Sequence, residues 1–139
     1  MPDGRGLPLG SGDYQTGKVV YAANCMGCHG ADLGGVAGTG AAALIGGRSS
    51  LASGKPKKTV ESYWPYASTV FDFVKRAMPF YAPGSLSDDE VYAVVAYVLG
   101  EANILDKTTT LNATSLPMID MPNKDGFISD PRPDVFNYE

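Results

Sequence analysis

The chain has 139 residues, 44% of them apolar and 19% charged, and a formal net charge of −4 at pH 7. That length suits one domain, while seventeen glycines and ten prolines point to a small core joined by much irregular chain. The acidic balance argues against nucleic acid and against a polybasic membrane footprint, and no apolar run is long enough for a membrane span or a signal-peptide core.

In chain order, residues 1–12 read as an N-terminal extension, residues 13–103 as the domain and residues 104–139 as an extended C-terminal arm. Asp13 is the expected N-cap of a first helix whose residues Tyr14, Gly17, Val20 and Tyr21 recur at helical spacing up to the cysteines. Gly17 in that helix costs about 1 kcal/mol of propensity relative to alanine. A second helix crossing there at close range explains it; an isolated tolerated glycine is the alternative.

Next comes Cys25-Met26-Gly27-Cys28-His29, which contains the only two cysteines and the only histidine of the chain. Two thiols at this spacing can add to the two vinyl groups of one haem while the adjacent imidazole reaches the iron. A thioredoxin-like redox pair would need a βαβ context that is missing and would leave His29 unexplained. A structural zinc site would need four ligands. The reading is therefore one haem c, bound covalently through Cys25 and Cys28, with His29 as a metal ligand. An enclosed porphyrin also supplies apolar core that a small helical domain lacks. Bacterial attachment of such haems takes place outside the cytoplasmic membrane, so the expected compartment is the periplasm and the expected form a mature one whose export signal has been removed.

From Gly30 to Gly54 the chain is rich in Gly, Ala and Ser without periodicity and reads as a loop along the haem edge. Gly34-Gly35 and Gly46-Gly47 lack the lysine spacing and preceding strand of a phosphate cradle. Arg48, with Lys55, Lys57 and Lys58, forms the only basic cluster; Arg48 is a candidate partner for a haem propionate, or else a solvated loop charge. Tyr63-Trp64-Pro65-Tyr66 places three aromatics in four residues. Trp64 is the candidate to pack on the porphyrin and donate to a propionate, with ordinary core packing as the alternative.

A helix is expected from about Ser68 to Ala77, carrying Val70, Phe71, Val74 and Ala77, and it ends in Met78-Pro79. Methionine sulfur is a soft, neutral ligand that suits low-spin iron and raises its potential, so Met78 is the candidate second metal ligand, on a segment stiffened by Pro79. Met26 lies too near the proximal side to compete, whereas Met118 and Met121 could be the ligand or cap the haem edge.

Ser87-Asp88-Asp89-Glu90 is a capping box opening a long helix through Val91, Tyr92, Val94, Val95, Tyr97, Val98 and Leu99, ending near residues 100–103. Its expected partner is the first helix, at Gly17 and Tyr21. The three carboxylates suit the helix macrodipole better than acid–base catalysis. In the arm, prolines at 117, 122, 131 and 133 preclude a regular helix. Leu111, Leu116, Ile119, Phe127, Ile128, Val135 and Phe136 are nonetheless too many apolar side chains for a solvated linker. The arm is read as wrapping the domain, with docking on a partner as the alternative. Asn112-Ala113-Thr114 matches a glycosylation sequon, a weak signal in a bacterial setting.

This order of elements resembles the class I cytochromes c over roughly Asp13 to Asn103. The resemblance implies an all-α fold of three to five helices around one covalent haem, with His29 proximal, Met78 distal and the terminal helices crossed. More narrowly, Glu61-Ser62-Tyr63-Trp64-Pro65-Tyr66-Ala67, Arg76-Ala77-Met78-Pro79-Phe80, the stretch from Pro83 to Ala93 and Met121-Pro122-Asn123-Lys124-Asp125-Gly126-Phe127 resemble two groups. These are the monohaem cytochromes that serve molybdenum sulfite dehydrogenases and the cytochrome subunit of sulfane dehydrogenase. That resemblance implies single-electron transfer from a sulfite dehydrogenase or related molybdenum dehydrogenase to a terminal oxidase or another cytochrome. An obligate subunit of such a dehydrogenase is one alternative. A haem enzyme or gas sensor with a labile Met78 is the other.

Overall fold

A computed structural model describes residues 2–129. Helix α1 spans Tyr14–Asn24, α2 is the single turn Met26–His29, α3 spans Ala67–Ala77 and α4 spans Asp88–Glu101. Two short strands, β1 (Ser11–Gly12) and β2 (Leu111–Asn112), pair antiparallel with Gly12 opposite Leu111, and a 3-10 turn covers Leu116–Met118. None of these helices is long and apolar enough to cross a membrane.

The caps lie where the sequence puts them. Asp13 accepts the Thr16 amide at 2.8 Å, satisfying one of the orphan donors at the start of α1. Ser87 and Glu90 close the capping box of α4, the Ser87 amide donating to Glu90 Oε2 at 2.8 Å. These bonds also hold the Glu90 carboxyl below its ordinary range.

Helices α1 and α4 cross at Gly17. A Cβ built there would lie 1.9 Å from the Ala93 carbonyl oxygen, and one on Gly12 would lie 2.1 Å from the Ala93 amide nitrogen. Only glycine lets the backbones approach so closely. Around this contact Tyr97 packs against Tyr14 and Tyr21 at ring separations of 5.2 and 5.1 Å.

One feature of α4 exceeds the expectation of a single apolar face: every residue from Val91 to Gly100 is buried. A helix buried all round must be covered on all sides. Here α1, β1, α3 and β2 share that task. The arm contributes directly, since Leu111 and Leu116 are fully buried and Met121 nearly so. Further along, Asn123 Nδ2 donates to the Tyr63 carbonyl at 2.8 Å, and Phe127 meets the Tyr63 ring edge-on at 5.2 Å. After Asn103 the chain thus makes these contacts through Leu111, Leu116, Met121, Asn123 and Phe127, while Met118 and Ile128 are exposed; Val135 and Phe136 lie outside the described residues. Asn112 Oδ1 accepts the amides of Thr114 and Ser115, which makes it a turn-forming side chain.

Candidate haem site

The site is built from the ends of elements. The chain leaves α1 at Asn24, makes the α2 turn carrying Cys28 and His29, and is anchored there by Tyr21, whose hydroxyl donates to the Gly30 carbonyl at 2.7 Å. On the opposite side α3 ends at Met78, whose amide donates to the Val74 carbonyl at 3.1 Å. The segment after Met78 is tied at both ends because Lys75 Nζ, one turn before it, donates to the Leu86 carbonyl at 2.9 Å and pairs with Asp88 at 2.8 Å.

Between these ends lies a cavity of about 490 Å³. Cys25, Cys28, His29 and Met78 all line it, together with apolar side chains of α3 and α4 such as Val70, Val74, Val94, Val95 and Val98. Its size and apolar lining are those of a cofactor site. A second cavity of about 610 Å³, beside the N-terminal segment and α3, is lined by charged residues such as Arg5, Asp72 and Arg76. No thiol, imidazole or thioether lines that one.

The donor set matches haem c atom by atom. His29 Nδ1–H donates to the Ala42 carbonyl at 2.8 Å, which leaves the Nε2 lone pair for iron and fixes the ring's orientation. Both cysteines are unpaired thiols. Burial, and then the neighbouring Cys28, push the Cys25 thiol up to about 11, so before attachment it is neutral. Leu33 holds the following loop in place: it adopts a φ of +57°, its side chain is fully buried, and its carbonyl accepts the Leu44 amide at 2.8 Å. Burial of a leucine is what makes that left-handed backbone tolerable.

Among the methionines of the described residues, Met78 is the one that lines the cavity. Met26 and Met118 are 41% and 81% exposed, and Met121 is buried in the core at the arm. Trp64 also lines the cavity and meets the Phe73 ring edge-on at 5.5 Å. Arg48 is not among the residues that line it and is engaged by other partners. Its Nε pairs with Glu61 at 2.7 Å and its Nη2 donates to the Ala102 carbonyl, also at 2.7 Å. Glu61 in turn accepts the Gly46 amide at 2.5 Å. Arg48 therefore braces the glycine-rich loop against the C-terminal end of α4, where a cation complements the exposed carbonyls.

Two parts of the wall carry no separate sequence signal, the Ala42 carbonyl and Thr39. Backbone acceptors are invisible to motif reading. Lys58, a member of the basic cluster, also lines the wall, which the sequence did not single out.

Comparison with known proteins finds a family model and solved structures. Residues 12–98 match the family model described as cytochrome C oxidase, cbb3-type, subunit III. A chain in the crystal structure of the sulfane dehydrogenase SoxCD from Paracoccus pantotrophus is 39% identical, with a TM-score of 0.90, covering all of this chain and 70% of that one. A search of curated proteins gives no match. With one C-x-x-C-H run and a cavity that joins it to a methionine, the chain belongs to the cytochrome c family and carries one covalently bound haem c.

Proposed function

We propose that this electron-transfer protein is the periplasmic cytochrome partner of a molybdenum dehydrogenase acting on a sulfur compound. It takes electrons singly and passes them to a terminal oxidase or another cytochrome. The observation that carries the reading is the likeness to a chain of the sulfane dehydrogenase structure, which extends over this whole chain. A match to the haem domain alone would support only a generic carrier. The full-length match favours an enzyme-bound subunit over a freely diffusing one.

When bound, haem c supplies a one-electron ferrous–ferric couple. His29 and Met78, which line the same cavity, would hold its iron through an imidazole nitrogen and a thioether sulfur, a ligand pair suited to electron transfer. The Ala42 carbonyl keeps the imidazole in one tautomer and one orientation, which limits reorganisation between redox states. Valines of α3 and α4 exclude water from the cavity and raise the potential with the methionine. The edge near Cys25 and Met26 would offer the acceptor, rather than the bound dehydrogenase, a contact small enough to be released.

The test is to co-express the chain with the catalytic subunit of a sulfane or sulfite dehydrogenase and follow haem absorbance after adding substrate. Substrate-dependent reduction that needs the catalytic subunit, together with co-purification, supports the enzyme-bound role. Reduction without co-purification would make it a free carrier, and reduction no faster than in substrate-only controls would overturn the sulfur-linked donor.

A further inference from the structure

The cavity wall carries a single fixed cation. Among the described residues that line it, Lys58 is the one Lys or Arg, and no Asp or Glu lines it. A haem brings two propionate carboxylates, and a carboxylate beside an apolar wall needs a compensating charge or a hydrogen-bond donor. Arg48 is engaged elsewhere, by Glu61 and the Ala102 carbonyl.

Lys58 is also held where a counter-ion has to be. The residues beside it are pinned. Thr59 and Ser62 are 2% and 5% exposed. The Thr59 amide donates to Ser62 Oγ at 3.0 Å, the Ser62 hydroxyl to the Lys57 carbonyl at 2.6 Å, and the Thr59 hydroxyl to the Gly46 carbonyl at 2.7 Å. Lys58 itself is exposed to solvent while lining the cavity, as a residue at its mouth must be, and its ammonium lies 5.0 Å from the Tyr63 ring centroid. Trp64, whose N–H can donate, lines the same cavity.

We infer that Lys58 is the counter-ion of the haem propionates, marks the end of the cavity where they lie, and raises the reduction potential of the iron. The direction follows from charge. A nearby cation disfavours the ferric state, which carries one more positive charge, and it neutralises carboxylates that would favour that state. Lys58 acts through the cofactor's charge and touches no reacting atom; it is a positioning and tuning residue. The inference rests on the haem-bearing cavity and is independent of which enzyme supplies electrons.

The experiment measures midpoint potentials of the holo protein by spectroelectrochemistry at fixed pH and ionic strength, for the native chain and for Lys58→Gln, Lys58→Arg and Lys55→Gln. Lys55 lies on the same loop but does not line the cavity, so its variant reports the effect of net charge alone. Lys58→Gln is expected to shift the equilibrium about threefold toward the ferric state, a fall of about 28 mV at 59 mV per tenfold for one electron. Lys58→Arg should keep the native potential, Lys55→Gln should leave it unmoved, and added salt should shrink the Lys58→Gln difference. An unchanged potential in Lys58→Gln, an equal fall in Lys55→Gln, or a Lys58→Arg potential as low as that of Lys58→Gln would overturn the assignment.

Discussion

On one side of the cavity, two thiols and an imidazole come from five consecutive residues on a single turn, oriented by one backbone carbonyl. On the other side, Met78 arrives at the end of α3, and its position depends on α3 packing against α4 through pairs such as Phe71 with Tyr92, 4.5 Å apart. The first side is covalent and local. The second is tertiary, so it should be lost under milder damage, and the difference divides the chain into parts whose failure takes both sides and parts whose failure takes only one.

The largest effect is expected where both sides share a support. Gly17→Ala would push a methyl into the Ala93 carbonyl and prise α1, which leads to the cysteines, from α4, which walls the cavity. A loss of more than about 3 kcal/mol is expected, at or beyond the usual overpacking range, seen as a poor yield of haem-loaded protein and a lowered thermal midpoint. Leu116→Ala, on the arm, should cost about 3 kcal/mol by leaving a cavity beside the core. It should lower the thermal midpoint while haem stays attached, and a midpoint within a degree of native would show that the arm does not share the core.

Met78→Ala separates the two sides most cleanly. Haem should remain covalently attached, whereas the ferric methionine charge-transfer band should vanish and cyanide should bind rapidly. Stability should fall by about 2 kcal/mol, the low end for a partly buried methionine. Retention of the band would move the ligand to another residue.

Smallest is Ser87→Ala, expected to cost about 1 kcal/mol by removing the cap of α4. Because the Glu90 carboxyl is depressed in the folded state, chiefly by the Ser87 amide, the capping box stabilises fully above the unfolded-state value. That stabilisation fades as pH falls through the lower folded value. Ser87→Ala keeps that amide bond and loses only the hydroxyl that also donates to Glu90 at 2.8 Å, so the gap in urea stability between native and Ser87→Ala should narrow slightly on acidification, by the hydroxyl's share alone, and a gap that widened would contradict the box.

Local chemistry made much of this molecule legible before any coordinates. The C-x-x-C-H run identifies its cofactor because thiol addition and iron ligation need those atoms on one turn. Asp13 and Ser87 announce their helices because an orphan amide is satisfied within three residues. Gly17 pointed to a crossing because a close helix approach explains a mid-helix glycine that costs propensity.

Tertiary structure decided matters that depend on what lies beyond such short range. The sequence favours Met78 while leaving Met118 and Met121 open, and cavity lining and burial distinguish Met78 from both. Arg48 and Lys58 were members of one basic cluster. Glu61 and the Ala102 carbonyl draw the first away while the pinned Thr59–Ser62 turn leaves the second on the cavity wall. The sequence by itself determined the cofactor, the helix starts and the apolar character of the arm, because those follow from bonds within a few residues. Which cation lines the cavity and what packs against Leu111, Leu116 and Met121 were decided only in the fold, because a side chain acquires distant partners only from residues brought together across the chain.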